Sequence, residues 1–238
     1  PEITMVVPVI SNKWLPSLLE NIGKMEHEPS EIIVIDNGNG IVKKTVKKFA
    51  NLPIRHLQQK KNLGVNASWN LGIAEAKTDL VAILNDDLVL PDGFFKAVQD
   101  AFMLYSRAGF VIPSTISPPL KNGAPAPWKI GQPDEVYSGE GWPHALPVPR
   151  RDGGWCMTVR KSILDPIPAD SLFTFCGDDA LYRQVVSRGY WALRMTDTVI
   201  YHEVGVSQDL GMRKKLKLPY TFQQERETWN KILEKAQA

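Results

Sequence analysis

Two adjacent acidic pairs, Asp86-Asp87 and Asp178-Asp179, and one histidine, His202, are the side chains of this 238-residue chain whose types and placement could do chemistry. Asp86 and Asp87 follow Leu80–Leu84, an unbroken apolar run suited to a strand buried on both faces. Side chains at the carboxyl end of such a strand reach the crevice beyond it. Like charges held that close repel unless a cation lies between them or one is protonated. A hard divalent cation with phosphate among its ligands suits the pair. A plain acidic turn after a strand is the alternative. Asp178 and Asp179 sit in FTFCGDDA at the start of a helical pattern. Helix N-termini favour carboxylates, so capping is one reading. A general base that takes the proton of an acceptor hydroxyl is the other. His202 follows an apolar segment directly, where a strand meets a loop, which is a place for a metal ligand.

The elements that must position these groups alternate strand and helix. Strands are expected at 3–10, 31–35, 54–58 and 80–84, with helices at 14–24, 41–50 and from 66 to about 75 between them. Ser11 and Asn12 are candidate caps of the first helix, and Asn66 of the third. The order βαβαβαβ predicts an α/β fold, a mainly parallel sheet with right-handed crossovers and helices on both faces. Asp36 ends the second strand in Asp36-Asn37-Gly38-Asn39-Gly40. Its carboxylate there can accept hydrogen bonds from a base or a ribose, or start an Asx turn. Asn62, Gly64 and Asn70 surround the loop and helix after the third strand, and Gly64 permits close backbone approach to a ligand. A helix at 94–106 and a strand at 109–113 follow. Residues 114–151 then form a long Pro- and Gly-rich stretch holding Trp128 and Trp142, which can stack on a sugar or base or form a satellite core. Gly153-Gly154-Trp155 enters another strand, and the paired glycines leave room for a ligand. Strands at 190–195 and 198–201 and a terminal helix at 222–236 complete the pattern.

Composition narrows the classes. The chain is 43% hydrophobic and 23% charged with net charge +2, enough for one substantial core and no demand for a polyanionic partner. Cys156 and Cys176 are its two cysteines, so it is no disulfide scaffold. PEITMVVPVI reads as a first strand rather than a signal peptide, and no apolar run reaches membrane-spanning length, so a soluble, cytoplasmic protein is expected. Neither a GxGxxG nor a GxxxxGK[ST] loop is present.

Taken in order, VIDNG, NLGVNASWNLG, ILNDD, a Gly-Gly turn, CGDDALYRQVVSRGY and YHEVG resemble the inverting glycosyltransferases of family 2, over roughly residues 3–205. The resemblance implies a GT-A fold at 1–205, with 114–151 as an acceptor-side loop, and a tail and helix at 206–238 packed on it. It places Pro8 and Val9 beside the nucleotide and makes Asp36 the base-binding carboxylate. Asn62, Gly64 and Asn70 match the stretch near ribose and phosphates. Asp87 matches the last carboxylate of a DxD motif, Asn85 stands where its first Asp is usual, and Asp86 is left to contact ribose or sugar. Gly154 and Trp155, with Trp128 and Trp142, fall in the donor-sugar and acceptor region. Asp179 is implied as catalytic base, with Asp178 contacting acceptor, and Asp87 with His202 as ligands of Mn²⁺ or Mg²⁺.

The implied reaction is a single displacement from a nucleoside-diphosphate sugar, by family habit a uridine diphosphate (UDP) sugar. The acceptor hydroxyl would belong to a glycan, a lipid-linked sugar, a protein or a modified base in DNA. A nucleotidyltransferase of similar fold and a non-catalytic nucleotide- or carbohydrate-binding protein are the competing readings.

Overall fold

The structure, a computed structural model, describes residues 1–116, 145–147, 154–202 and 219–237. Trp128, Trp142 and Gly153 lie outside the described residues. Strands β1 (Ile3–Val9), β2 (Glu31–Asp36), β3 (Ile54–Gln58) and β4 (Leu80–Leu84) pair in parallel in the order β3-β2-β1-β4. The sheet continues through β8 (Cys156–Arg160), β6 (Ala108–Ile116) and β9 (Trp191–His202) to a two-residue edge strand, β5 (Leu88–Val89). β7 (Ala145–Pro147) pairs with β9 off this path. β8 runs antiparallel to both β4 and β6, so this half of the sheet is mixed.

Helices cover both faces because each carries one apolar stripe. In α1 (Leu15–Ile22) the buried residues are Leu15, Leu18, Leu19 and Ile22, at helical spacing. With α4 (Phe94–Leu104), which buries Phe94, Phe95, Val98 and Phe102, it packs on one face, and α2 (Lys43–Lys48) lies beside them. On the other face lie α3 (Val65–Glu75), α5 (Gly177–Ser187) and α6 (Phe222–Gln237). Trp229 of α6, 5% exposed, joins that core with Ile232 and Leu233 beside it, so the terminal helix shares the sheet's own core. Among the described residues no helix is long and apolar enough to cross a membrane.

Three local expectations change. The first helix begins after Trp14 with no side-chain cap, and Asn12 instead accepts a 2.8 Å bond from the Thr45 hydroxyl. Asn66 is no cap either: it lies inside α3, fully buried, behind Gly64. The two late strands are one. β9 runs through Thr196–Thr198 because its register against β6 slips there, between Pro113 and Ser114, and a bulge absorbs the extra residues.

Gly64 shows how tightly the two halves are joined. Its φ is +83°, and a Cβ there would lie 2.6 Å from the carbonyl oxygen of Phe173. That carbonyl accepts from Val65 N at 2.8 Å and Asn66 N at 3.3 Å, satisfying donors that the first turn of α3 leaves open. The close approach allowed by Gly64 is therefore to the chain itself rather than to a ligand. Gly64→Ala combines left-handed strain with a clash against backbone, and a loss of about 3 kcal/mol is expected. Urea unfolding of the variant against the parent checks it.

The cysteines form no disulfide with each other. Both are buried, 1% and 2% exposed, and burial pushes the Cys156 thiol well above its usual range. Neither thiol is expected to react with a thiol-specific dye until denaturant is added, since the reactive form is the exposed thiolate.

Candidate active site

The sheet order reverses between β1 and β4. From β1 the chain steps outward to β2 and β3, then returns to β4 on the other side of β1. In open α/β sheets that reversal leaves a crevice beyond the strand ends. Pro8 and Val9 end β1 there, Asp36 ends β2, and Asn85, Asp86 and Asp87 follow β4.

β8 and β9 bring two more side chains to this edge. Asn85 N donates to Trp155 O at 2.8 Å, extending the β4–β8 ladder. Leu88 pairs with His202 across β5 and β9, which folds the end of β9 over Asp87. His202 Nε2 lies 3.4 Å from Asp87 Oδ1. The Trp155 indole stacks on the His202 ring, with centroids 5.3 Å apart and planes 14° from parallel, while its N–H donates to Thr115 Oγ1 at 2.9 Å. Trp155 thus holds the imidazole in orientation.

Asp87 Oδ1 is buried and, among the described residues, has no hydrogen-bond partner. An orphaned carboxylate oxygen is costly unless something charged meets it. An oxygen and a nitrogen on adjacent corners of an octahedral cation, each at about 2.1 Å, would stand about 3 Å apart, close to the separation observed. The pair therefore fits a divalent cation. Among the described residues no three His, Cys, Asp or Glu side chains converge, so Asp86 does not complete a triad. Burial, and then the charge of Asp87, push the Asp86 carboxyl from 3.8 up to about 7.

The second acidic pair splits. The turn enters α5 through Cys176, in the left-handed region at φ +62°, and Gly177, whose Cα faces Asn66 so closely that a Cβ would lie 2.0 Å from Asn66 Oδ1. Successive residues on a helix point about 100° apart. Asp178 consequently lies against the glycine turn before β8: a Cβ on Gly154 would be 2.9 Å from Asp178 Oδ2. Asp179 points to α6, where its Oδ2 accepts from Arg226 Nη1 at 2.8 Å and from Trp229 Nε1 at 3.1 Å. It is 7% exposed. The base expected at Asp179 is thus a carboxylate held by α6, and Asp178 lies beside Gly154.

Other expected contacts have different jobs. Asp36 is 0% exposed; Oδ1 accepts from Gly38 N at 2.9 Å, and Oδ2 faces Val42 N at 3.3 Å and His56 Nε2 at 3.0 Å. A carboxylate so enclosed shapes the loop as an Asx turn does. Asn70 holds Ile167 from both sides, donating to its carbonyl and accepting from its N–H, each at 2.8 Å. Asn62 Oδ1 accepts from Gly64 N at 2.9 Å. The Val9 side chain is in the core and its carbonyl accepts from Asn37 N at 2.7 Å, while Pro8 is half-buried.

Sequence reasoning missed four residues here. Asn66 donates to Leu172 O at 2.8 Å and Phe175 O at 2.9 Å, and Glu225 accepts from Thr174 N at 2.8 Å and Phe175 N at 2.7 Å. Arg226 and Trp229 hold Asp179. The one available signal was polar residues at the start of a helix whose apolar set is short.

A family model described as "Glycosyl transferase family 2" matches residues 4–185. The chain belongs to this family. A curated relative, "Uncharacterized glycosyltransferase YwdF" of Bacillus subtilis (strain 168), is 30% identical over 101 residues, 41% of this chain and 38% of the relative. The chain thus spans well under half of that protein's length in the match. Among solved structures, S. aureus TarS 1-349 in complex with UDP-GlcNAc superposes with a TM-score of 0.65 at 14% identity, covering 93% of this chain and 62% of that one. The mannosyltransferase PcManGT from Pyrobaculum calidifontis, in complex with GDP-Man and Mn²⁺, gives 0.62 at 19% identity, covering 90% and 59%. At such identities the likeness is one of fold, and the fold of this family 2 domain is GT-A.

Proposed function

We propose that this chain transfers a sugar from a nucleoside-diphosphate sugar to an acceptor hydroxyl in one displacement that inverts the anomeric centre. The buried Asp87 Oδ1, without a hydrogen-bond partner among the described residues and facing His202 at 3.4 Å, with Asp178 beside Gly154, carries the reading. Asp87 and His202 would hold Mn²⁺ or Mg²⁺, which supplies charge neutralisation for the leaving diphosphate.

This chain's own residues do the rest. Asp178 accepts the acceptor's hydroxyl proton as the oxygen–carbon bond forms and the anomeric carbon–phosphate oxygen bond breaks, the electron pair leaving with the diphosphate. Trp155, braced by Thr115, walls the donor sugar and keeps His202 in place. Gly154 lets the backbone pass close to Asp178. Asp86 contacts ribose or sugar. Asp36, Asn62, Gly64 and Asn70 build the loops around the nucleotide rather than touching it.

TarS and PcManGT were solved with UDP-GlcNAc and GDP-Man, so UDP- and GDP-sugars head the donor panel. The panel is incubated with Mn²⁺ and with EDTA, and nucleoside diphosphate release and nucleotide binding are followed. Release or binding of one donor that needs the cation supports the reading. Neither, for any donor, overturns it.

A further inference from the structure

We infer that α6 is the positioning element for the catalytic turn, and that Arg226, through Asp179, sets where Asp178 stands. The inference rests on the proposed role of Asp178 as base. The turn at 172–177 is held from two sides. From α3, Asn66 takes the carbonyls of Leu172 and Phe175, and the α3 N-terminus takes that of Phe173. From α6, Glu225, 1% exposed, takes the N–H groups of Thr174 and Phe175, and Arg226 with Trp229 takes Asp179. Each end of the turn is thereby pinned before Asp178 emerges on the other side of the helix.

The two α6 partners of Asp179 differ. Trp229 is in the core and would anchor the helix without Asp179. Arg226 has 39% of its side chain exposed, and its charge-assisted bond to Asp179 is what ties it to the turn. Removing Arg226 therefore leaves α6 packed but takes away the charged partner of the carboxylate next to the base. Residue 185 ends the family match, so α6 lies wholly beyond it.

The test uses the full chain and the donor identified by the panel, with kcat measured well below each variant's melting temperature. Arg226→Ala is expected to lower kcat about tenfold or more, since a displacement of about 1 Å at a reacting group can cost a hundredfold. Nucleotide Kd should stay within about twofold, because the nucleotide edge is built from other elements. Arg226→Lys should recover most of kcat, and Arg226→Ala with Asp179→Asn should be no slower than the slower single variant, as for two residues acting through each other. Trp229→Phe keeps the packing and loses one bond to Asp179, and gives a second reading should Arg226→Ala not fold. Wild-type kcat in Arg226→Ala and Trp229→Phe, or simple multiplication of the Arg226 and Asp179 effects, overturns the inference. Asp178→Asn is run beside them. An active Asp178→Asn removes the base assignment itself, whereas an inactive one with normal Arg226 and Trp229 variants removes the positioning role alone.

Discussion

Asp178→Asn is expected to lower kcat by about a thousandfold while leaving nucleotide affinity unchanged, within the span that general-base removal usually costs. The amide keeps the shape against Gly154 but cannot accept the hydroxyl proton. The effect belongs on kcat because, in the function proposed above, the donor and cation would meet the chain at other residues, Asp86, Asp87 and His202. Asp179→Asn should behave differently. It loses the charge opposite Arg226 but keeps an oxygen for the indole N–H, so its melting temperature falls and its kcat falls less than that of Asp178→Asn. The order of the two kcat losses is the decisive readout. A near-normal Asp178→Asn beside an inactive Asp179→Asn would return the base to Asp179.

Asp87→Ala is expected to weaken cation-dependent nucleotide binding by about a hundredfold or more, since one of the two proposed protein ligands is lost and even outer-shell partners of a metal are worth ten- to a hundredfold. Calorimetry with nucleoside diphosphate and Mn²⁺ measures it; unchanged affinity would remove Asp87 from the metal site. Stability should move the opposite way. In the folded chain the Asp86 carboxyl is raised to about 7 by burial and by Asp87, against about 4 when unfolded. A folded pKa raised in this way favours the fold at acid pH, and that contribution is lost as pH rises from 4 through 7. In EDTA the parent should therefore lose stability over that window, on the order of 4 kcal/mol at most. Asp86→Asn should flatten the loss, and Asp87→Ala should reduce it by removing the neighbouring charge. Thermal melts in EDTA across the pH range check this, and a flat parent profile would contradict it. A site that melts more readily when empty is what a cation-binding carboxylate pair requires, because the repulsion a cation relieves must exist without it.

Much of the parallel half could be read from the sequence, because its signals are local. Continuous apolar runs at 32–35 and 80–84 mean strands buried on both faces, and the residues at their ends must lie on one edge of the sheet. Asp87, three residues beyond β4, and His202, the last residue of β9, could be placed at strand ends for the same reason. Trp155 was placed by its neighbouring glycine. The bulge in β9 was not readable, since Thr196–Thr198 look like a break until β6 is beside them. Nor was the Asx turn at Asp36 separable from a ligand contact, because a carboxylate after a strand serves both.

The sequence by itself determined that this is an α/β chain with one acidic edge, and it named the two carboxylate pairs and the histidine. Only the tertiary structure showed which member of the second pair α6 engages. The choice turns on a 100° step around α5 and on what α6, more than forty residues further along, presents to the far side. Periodicity reports that a helix has two faces; it carries no information about which distant element covers one of them. Arg226 and Trp229 cover Asp179, and Asp178 lies beside Gly154.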